Sequence, residues 1–368
     1  MDAADLRASI PATERCTYLN TGATGPSPRQ VVDASADFEA RLQYDAPCRD
    51  GPYAVALDAK ESAREAVARF VGADPGEIAL TRNTVEGVNL VANGLDWEAG
   101  DVVVRTDLEH GAGRLPWERL EREVGVEVRV LETDRGRVDL DDFAALVADA
   151  KLVCCSSLSW NYGTRLPVAE LVDVAHDAGA RVLVDAVQSV GQVPVDVDAW
   201  GADFVAASGH KWLLGPWGAG FCYVDEAALD ALSPARIGYF SVVDAGAGAY
   251  EYEPGAKRFE LGTTAIAPYV GLERAIELVE SLGVEAVEAR IADLAGRLVD
   301  GLGERRLGPA TPQSGLVPFT VDDPDATVER LADAGIRIRA IPQPSACRAS
   351  VHAFNTATEV DELLSALG

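Results

Sequence analysis

The sequence predicts an α/β protein, a large mostly parallel sheet domain followed by a smaller C-terminal α/β domain. Three observations predict it. Short apolar runs alternate with amphipathic stretches through the middle of the chain, the pattern of strands joined by helical crossovers. Several of these runs stop abruptly in polar residues, as parallel strands do where a site forms. A turn-rich stretch at 233–255, with Gly246, Gly248, Pro254 and Gly255 crowded together, then separates this pattern from a tail with strands and helices of its own.

Helical periodicity runs through 57–71, and Gly72 supplies its stop. A strand at 77–81 leads through Asn83-Thr84-Val85-Glu86-Gly87 into a helix at 88–93. Further strands are expected at 102–106, 127–131, 151–156, 181–185 and 203–207. Helices are expected at 141–148 and 168–178, the second closed by Gly179. In the tail, long helices at 267–281 and 286–302 precede a strand (316–321), a helix (326–334), two strands (336–340 and 347–353) and a helix (359–367). The expected division is an N-terminal segment, 1–20, packing with the small domain; a large domain, 21–255; and a small domain, 256–368.

Composition narrows the partners. The 368 residues hold 59 acidic and 32 basic side chains, a formal net charge of −27. A nucleic-acid partner is not expected, because displacing phosphate counterions requires Lys and Arg. No run of 18 apolar residues occurs, and the acidic start Met1-Asp2-Ala3-Ala4-Asp5 is unlike a signal peptide, so a cytoplasmic protein without a membrane span is expected. Only four lysines occur, Lys60, Lys151, Lys211 and Lys257. Strong acidity with scarce lysine fits a halophilic protein that stays soluble where salt screens charge. The six cysteines form no Cys-x-x-Cys pair, and no metal site is expected. Cys154 and Cys155 fall in an apolar strand and point to opposite faces of it as core residues.

Three strand ends carry the chemistry. Asp185 closes the apolar run Val182-Leu183-Val184, where an unpaired carboxylate costs several kcal/mol, on the order of the penalty for buried charge. A cationic or protonated group should face it, although a helix-capping Asp would read the same way. Lys211 follows the run 203–207 in Ser208-Gly209-His210-Lys211-Trp212. A desolvated lysine has a lowered pKa suited to Schiff-base formation, whereas a lysine with its head in water has no such role. Thr84 opens a helix whose N-terminal amides suit a phosphate, and an ordinary N-cap explains the same residues. P-loop, G-x-G-x-x-G, H-E-x-x-H and G-x-S-x-G motifs are all absent. An amine, a carboxylate and a phosphate cradle together describe pyridoxal 5′-phosphate.

These residues resemble the class V aminotransferase and cysteine desulfurase group of fold-type I pyridoxal-phosphate enzymes, from Tyr18-Leu19-Asn20-Thr21-Gly22 to Cys347-Arg348-Ala349-Ser350. The most specific likeness is Val184-Asp185-Ala186-Val187-Gln188 together with Ser208-Gly209-His210-Lys211. The resemblance implies a seven-stranded-type sheet, Lys211 as the Schiff-base lysine and Asp185 as the partner of the pyridine nitrogen. It implies Gln188 as donor to the cofactor's phenolic oxygen and His110 as the imidazole stacked on its ring, assisting proton transfer. Thr84, Val85, Ser208 and His210 fall at phosphate-binding positions. Gly262 and Thr263 resemble the segment that reaches the phosphate of a neighbouring subunit, which implies a homodimer with shared active sites. Arg348, with Arg339 as a second candidate, resembles the clamp for a substrate α-carboxylate, and Asn161 falls near a further substrate-binding position.

Two departures matter. Val85 stands where the family's Thr-Thr-Glu motif has a hydroxyl, and the stretch Ile341-Pro342-Gln343-Pro344-Ser345-Ala346 replaces the loop that carries a nucleophilic cysteine in desulfurases. Cys347 reads as structural, and Cys48 lies in a loop without the signature of a persulfide carrier. The expected activity is that of a class V aminotransferase acting on an α-amino acid. Alternatives are a cysteine desulfurase or C–S lyase-like activity, which the missing cysteine loop opposes, an amino-acid epimerase, and a non-catalytic member of the fold.

Overall fold

The computed structural model describes residues 1–368 apart from Ala247. After the short strand β1 (Thr17–Tyr18) come β2 (Ile78–Thr81), β3 (Val102–Thr106), β4 (Glu127–Leu131), β5 (Leu152–Ser156), β6 (Arg181–Asp185), β7 (Phe204–Ser208) and β8 (Gly220–Val224). Strands β2 to β8 form one seven-stranded sheet in the order β2-β8-β7-β6-β5-β3-β4. The pairings from β7 through β4 are parallel, while β8 runs antiparallel to both β2 and β7. The fold is thus the α/β architecture expected, with a mostly parallel central sheet.

Both faces of the sheet are buried, which is why its strands read as unbroken apolar runs. Val102, Val104, Val153, Cys155, Val182, Val184 and Val205 pack into one core. Their neighbours Val103, Leu152, Cys154, Leu183 and Phe204 pack into a second core on the opposite face. Cys154 and Cys155 therefore separate to the two faces as expected.

Besides short pieces such as the helices Ala3–Ala8 and Val197–Trp200 and the strand β1, the elements not expected from the sequence are the helices Arg29–Ala40 and Gly111–Glu123 and the strand β8. Pro116 and two glycines obscure the helix Gly111–Glu123; Pro116 lies inside it, where it removes one backbone donor, and the His110 side chain caps the helix start. Strand β8 follows a Gly/Pro-rich turn and begins with Gly220, where a Cβ would lie 2.6 Å from the Ala207 carbonyl oxygen.

The C-terminal layer contains β9 (Leu316–Phe319), β10 (Ile336–Arg337), β11 (Arg339–Pro342) and β12 (Ser345–Ser350). Strands β11-β12-β9 form an antiparallel sheet, and β10 pairs in parallel with β1. The single strand expected at 336–340 is therefore two, because the chain changes partner at Ile338. The helix Ala267–Leu282 buries Tyr269, Leu272 and Ile276 in a core of the large sheet. The next helix, Val284–Leu302, buries Ile291, Leu294 and Leu298 in the core of the small layer. The first helix after the expected boundary near 255 thus packs with the large sheet and the second with the small layer.

Candidate active site

The C-terminal ends of β2, β5, β6 and β7 open into a cavity of about 340 Å³ that also receives Gly22, Arg339 and Arg348. Of the residues singled out in the sequence, Thr84, Val85, His110, Asp185, Gln188, Ser208, His210, Lys211, Arg339 and Arg348 line it.

Lys211 is carried by the turn after β7. Gly25 crosses its backbone so closely that a Cβ there would lie 2.1 Å from the Lys211 carbonyl oxygen. Burial pushes the Lys211 amine down to about 8; Asp185 opposes this, while Arg348 and Arg339 add to it. The other three lysines are paired: Lys60 with Glu260, Lys151 with Asp101 at 2.6 Å, and Lys257 with Glu61 at 2.9 Å. Among the described residues, Lys211 alone of the four has no carboxylate within 4.0 Å.

Asp185, at the end of β6, is 3% exposed. Its Oδ1 accepts the Val187 N–H at 2.9 Å, and Oδ2 has no hydrogen-bond partner among the described residues. Burial holds this carboxyl above the usual carboxylate range, partly offset by the Val187 N–H and by Lys211.

The helix Thr84–Gly94 starts at the cavity wall, with the Asn83 side chain accepting the Glu86 N–H at 3.0 Å. Ser208 Oγ accepts the Thr84 N–H at 2.7 Å and lies 2.7 Å from Thr84 Oγ1. Val85 is exposed beside them.

His110 Nδ1 accepts the Ala112 N–H at 3.4 Å, which leaves the proton of the neutral ring on Nε2. Its ring stands edge-on to Trp160, with centroids 5.5 Å apart. Desolvation, then Lys211, Arg339, Arg348 and Arg114, keep His110 below the usual imidazole range. His210 is pushed down to about 4 by burial and by Lys211, and it packs against the exposed Trp217. The Gln188 amide is fixed at both ends: Nε2 donates to Gly22 O at 3.0 Å, and Oε1 accepts from Trp212 Nε1 at 2.8 Å.

Arg348 is only 1% exposed. It donates from Nη1 to Trp160 O at 2.8 Å, while its buried Nε and Nη2 have no partner among the described residues. It sits directly opposite Arg339 in the β11–β12 register. Burial and Arg339 push it down to about 9. A buried guanidinium that faces another and meets no carboxylate is costly unless an anion arrives; the chemistry that suits it is a bidentate carboxylate.

Two expected site residues lie elsewhere. Asn161 is buried behind the wall, accepting from Ser159 Oγ at 2.9 Å and donating to Gln343 O at 3.1 Å, so it braces the turn between β11 and β12. Thr263 is exposed and lines a second cavity together with Lys60, Tyr53 and Phe240. Conversely, Trp160, Trp217 and Arg82 line the main cavity without having been singled out. Glu109 also escaped notice. It is 6% exposed, accepts from Thr106 Oγ1 and from the Ser156 N–H and Oγ, and is pushed up to about 7 chiefly by burial. Its position next to His110 was the one available signal.

No cysteine lines the cavity. Cys347 is buried with its Sγ 3.6 Å from Pro324 O, and Cys48 is exposed. The β11–β12 hairpin pairs Pro342 with Ser345, so its turn holds only Gln343 and Pro344.

A doubly covered parallel sheet with a desolvated lysine after one strand and a carboxylate at the end of its neighbour defines a fold-type I pyridoxal-phosphate enzyme. The aminotransferase class-V family model matches residues 17–363, and the chain belongs to that family. A probable cysteine desulfurase of Methanothermobacter thermautotrophicus is 36% identical over 389 residues, covering 98% of this chain and 96% of the relative. The apo cysteine desulfurase of Thermococcus onnurineus superposes with a TM-score of 0.92 at 33% identity, covering 98% of this chain and 96% of that one. The cystine C–S lyase C-DES, solved with its product cysteine persulfide, superposes with a TM-score of 0.91 at 31% identity, covering 97% and 98% of the two chains. A C-DES variant has also been solved with glycine covalently linked to its PLP cofactor.

Proposed function

We propose that this class V enzyme acts as a pyridoxal-phosphate-dependent C–S lyase on a sulfur-bearing α-amino acid, with no cysteine of its own taking up the sulfur. The observation that carries this reading is a complete lysine, carboxylate and arginine set in a cavity lined by no cysteine. The similarity to desulfurases and to a cystine C–S lyase supports sulfur chemistry.

The donor set fits the cofactor. Asp185 Oδ2 lacks a protein partner and suits a pyridine N–H, Thr84, Ser208 and His210 gather where a phosphate would be held, and Lys211 is the one unpaired lysine. Bound there, pyridoxal phosphate supplies an aldehyde that condenses with an amine and a protonated ring that withdraws electrons from Cα. The residues do the remaining work. Arg348 holds the substrate carboxylate, which fixes the orientation of the Cα–H bond. Lys211, with its amine near 8, takes the Cα proton as a general base. His110, neutral and with its proton on Nε2, lines the cavity, where it would face the cofactor ring and could donate that proton to the departing sulfur. The Cα–H and Cβ–S bonds break, the sulfur leaves with the bonding pair as hydrosulfide from cysteine or as cysteine persulfide from cystine, and water completes the release of pyruvate and ammonia.

Product analysis tests the reading. With cysteine or cystine, pyruvate and ammonia should form in step with the sulfur product, and C48A and C347A should leave the rate unchanged. Alanine as the product, lost in either cysteine variant, would contradict it. Conversion of bound cofactor to its amine form, with an oxo acid released and the Cβ substituent retained, would instead establish the transamination expected from the sequence.

The second copy implied by the resemblance is part of the same proposal. Thr263 lies on a surface with the exposed Tyr53, Leu57 and Tyr239, which a partner would cover. Sedimentation should give twice the chain mass; a monomer active at the same specific rate would contradict shared sites.

A further inference from the structure

We propose that Trp212 is a positioning residue, which sets the amine of Lys211 and the amide of Gln188 in register with the strand that carries Arg348. The proposal rests on the cofactor reading above.

Trp212 follows Lys211 directly but is fully buried, does not line the cavity, and packs in the core of the small layer with Leu316, Phe319 and Val351. Space is reserved for it. A Cβ on Gly315 would lie 2.8 Å from the indole, and one on Gly191 would lie 2.6 Å from the Trp212 carbonyl carbon. Phenylalanine would fill most of this volume without a buried N–H to satisfy, so the polar edge of the indole needs its own explanation. That edge donates to Gln188 Oε1 at 2.8 Å. With Gln188 Nε2 also given to Gly22 O, the amide cannot flip, and one Nε2 proton remains for a ligand.

The other side of Trp212 is tied to the small layer. Its carbonyl oxygen lies 3.0 Å from His352 Nε2, which must carry the ring proton and donate, since a carbonyl only accepts. The two rings stack at 5.9 Å with 20° between their planes. His352 lies just past the end of β12, on the segment that continues from Arg348. One indole therefore joins the Schiff-base lysine, the Gln188 amide and the carboxylate clamp across the junction of two cores.

The test is W212F, prepared as the holoenzyme. The pH midpoint of the bound cofactor's visible absorption should move by about half a unit or more, and kcat/KM should fall about tenfold, the scale of one lost hydrogen bond. In a Q188A background, W212F should move the midpoint no further. An unchanged midpoint in W212F, or a full-sized shift that persists in Q188A, would overturn the proposal. If W212F does not fold, H352F keeps a stacked ring and removes only the bond to the Trp212 carbonyl. A midpoint displaced in H352F supports the role, and an unmoved one overturns it. Failure of the wild-type protein to bind the cofactor at all would instead refute the reading on which this rests.

Discussion

Two buried charge clusters in this protein each combine a lysine, an arginine and a carboxylate, and they are treated in opposite ways. In one, beneath the sheet edge, Glu260 receives Lys60, both Nη atoms of Arg64 and the Leu80 N–H. Burial works against both charges, yet the pairing outweighs it: Arg64 is held above its ordinary value and Glu260 below. In the cavity the signs reverse. Burial prevails at Asp185, which is raised, and at Arg348, which is lowered to about 9. Neither Lys211 nor Arg348 has a carboxylate partner among the described residues. The first cluster is complete within the chain, whereas the second is left open for charge supplied by a ligand.

The largest effect that separates the two clusters is expected at the clamp. Arg348→Gln should raise KM for an α-amino acid about a hundredfold or more, because the carboxylate loses its charged partner. Loss confined to thermal stability would place Arg348 with the structural cluster. Glu260→Gln should do the reverse, destabilising the fold by about 3–5 kcal/mol by leaving Lys60 and Arg64 uncompensated. Denaturant unfolding measures it, and an unchanged midpoint would show that the buried pairing contributes little.

A pH effect comes next. The Lys211 amine must be unprotonated to condense with an aldehyde, and it is pushed down to about 8. Capture of the cofactor by apoprotein should therefore speed up about tenfold per pH unit below 8 and level off above it. A rise that continues to pH 10 would mean an ordinary, solvated lysine. The smallest change is expected from Val85→Thr, which puts a hydroxyl at the start of the helix proposed to face the phosphate. Cofactor dissociation should slow several-fold, as one added hydrogen bond allows; faster dissociation would mean that Val85 does not face the phosphate.

What could be read from the sequence follows from the same physics. Buried parallel strands cannot hide, so the runs ending at Asp185 and Ser208 and the polar residues after them stood out. Scarce lysine made Lys211 conspicuous. Strand β8 and the helix Gly111–Glu123 were obscured because glycine and proline, which read as turn residues, stand there at a closely packed strand start and inside a helix. Asn161 falls behind this cavity because sequence proximity to a motif does not say which wall a side chain faces, whereas Thr263, expected to serve a neighbouring subunit, lies on another surface of its own chain. Glu109 and Trp212 lie behind the cavity wall, and only three-dimensional contacts disclose their partners.

The most direct test is to reduce the cofactor-loaded protein with borohydride and map the modified peptide. The account predicts one covalent label, on Lys211, and none in Lys211→Ala. A label on Lys60, Lys151 or Lys257, or undiminished labelling in the variant, would contradict it.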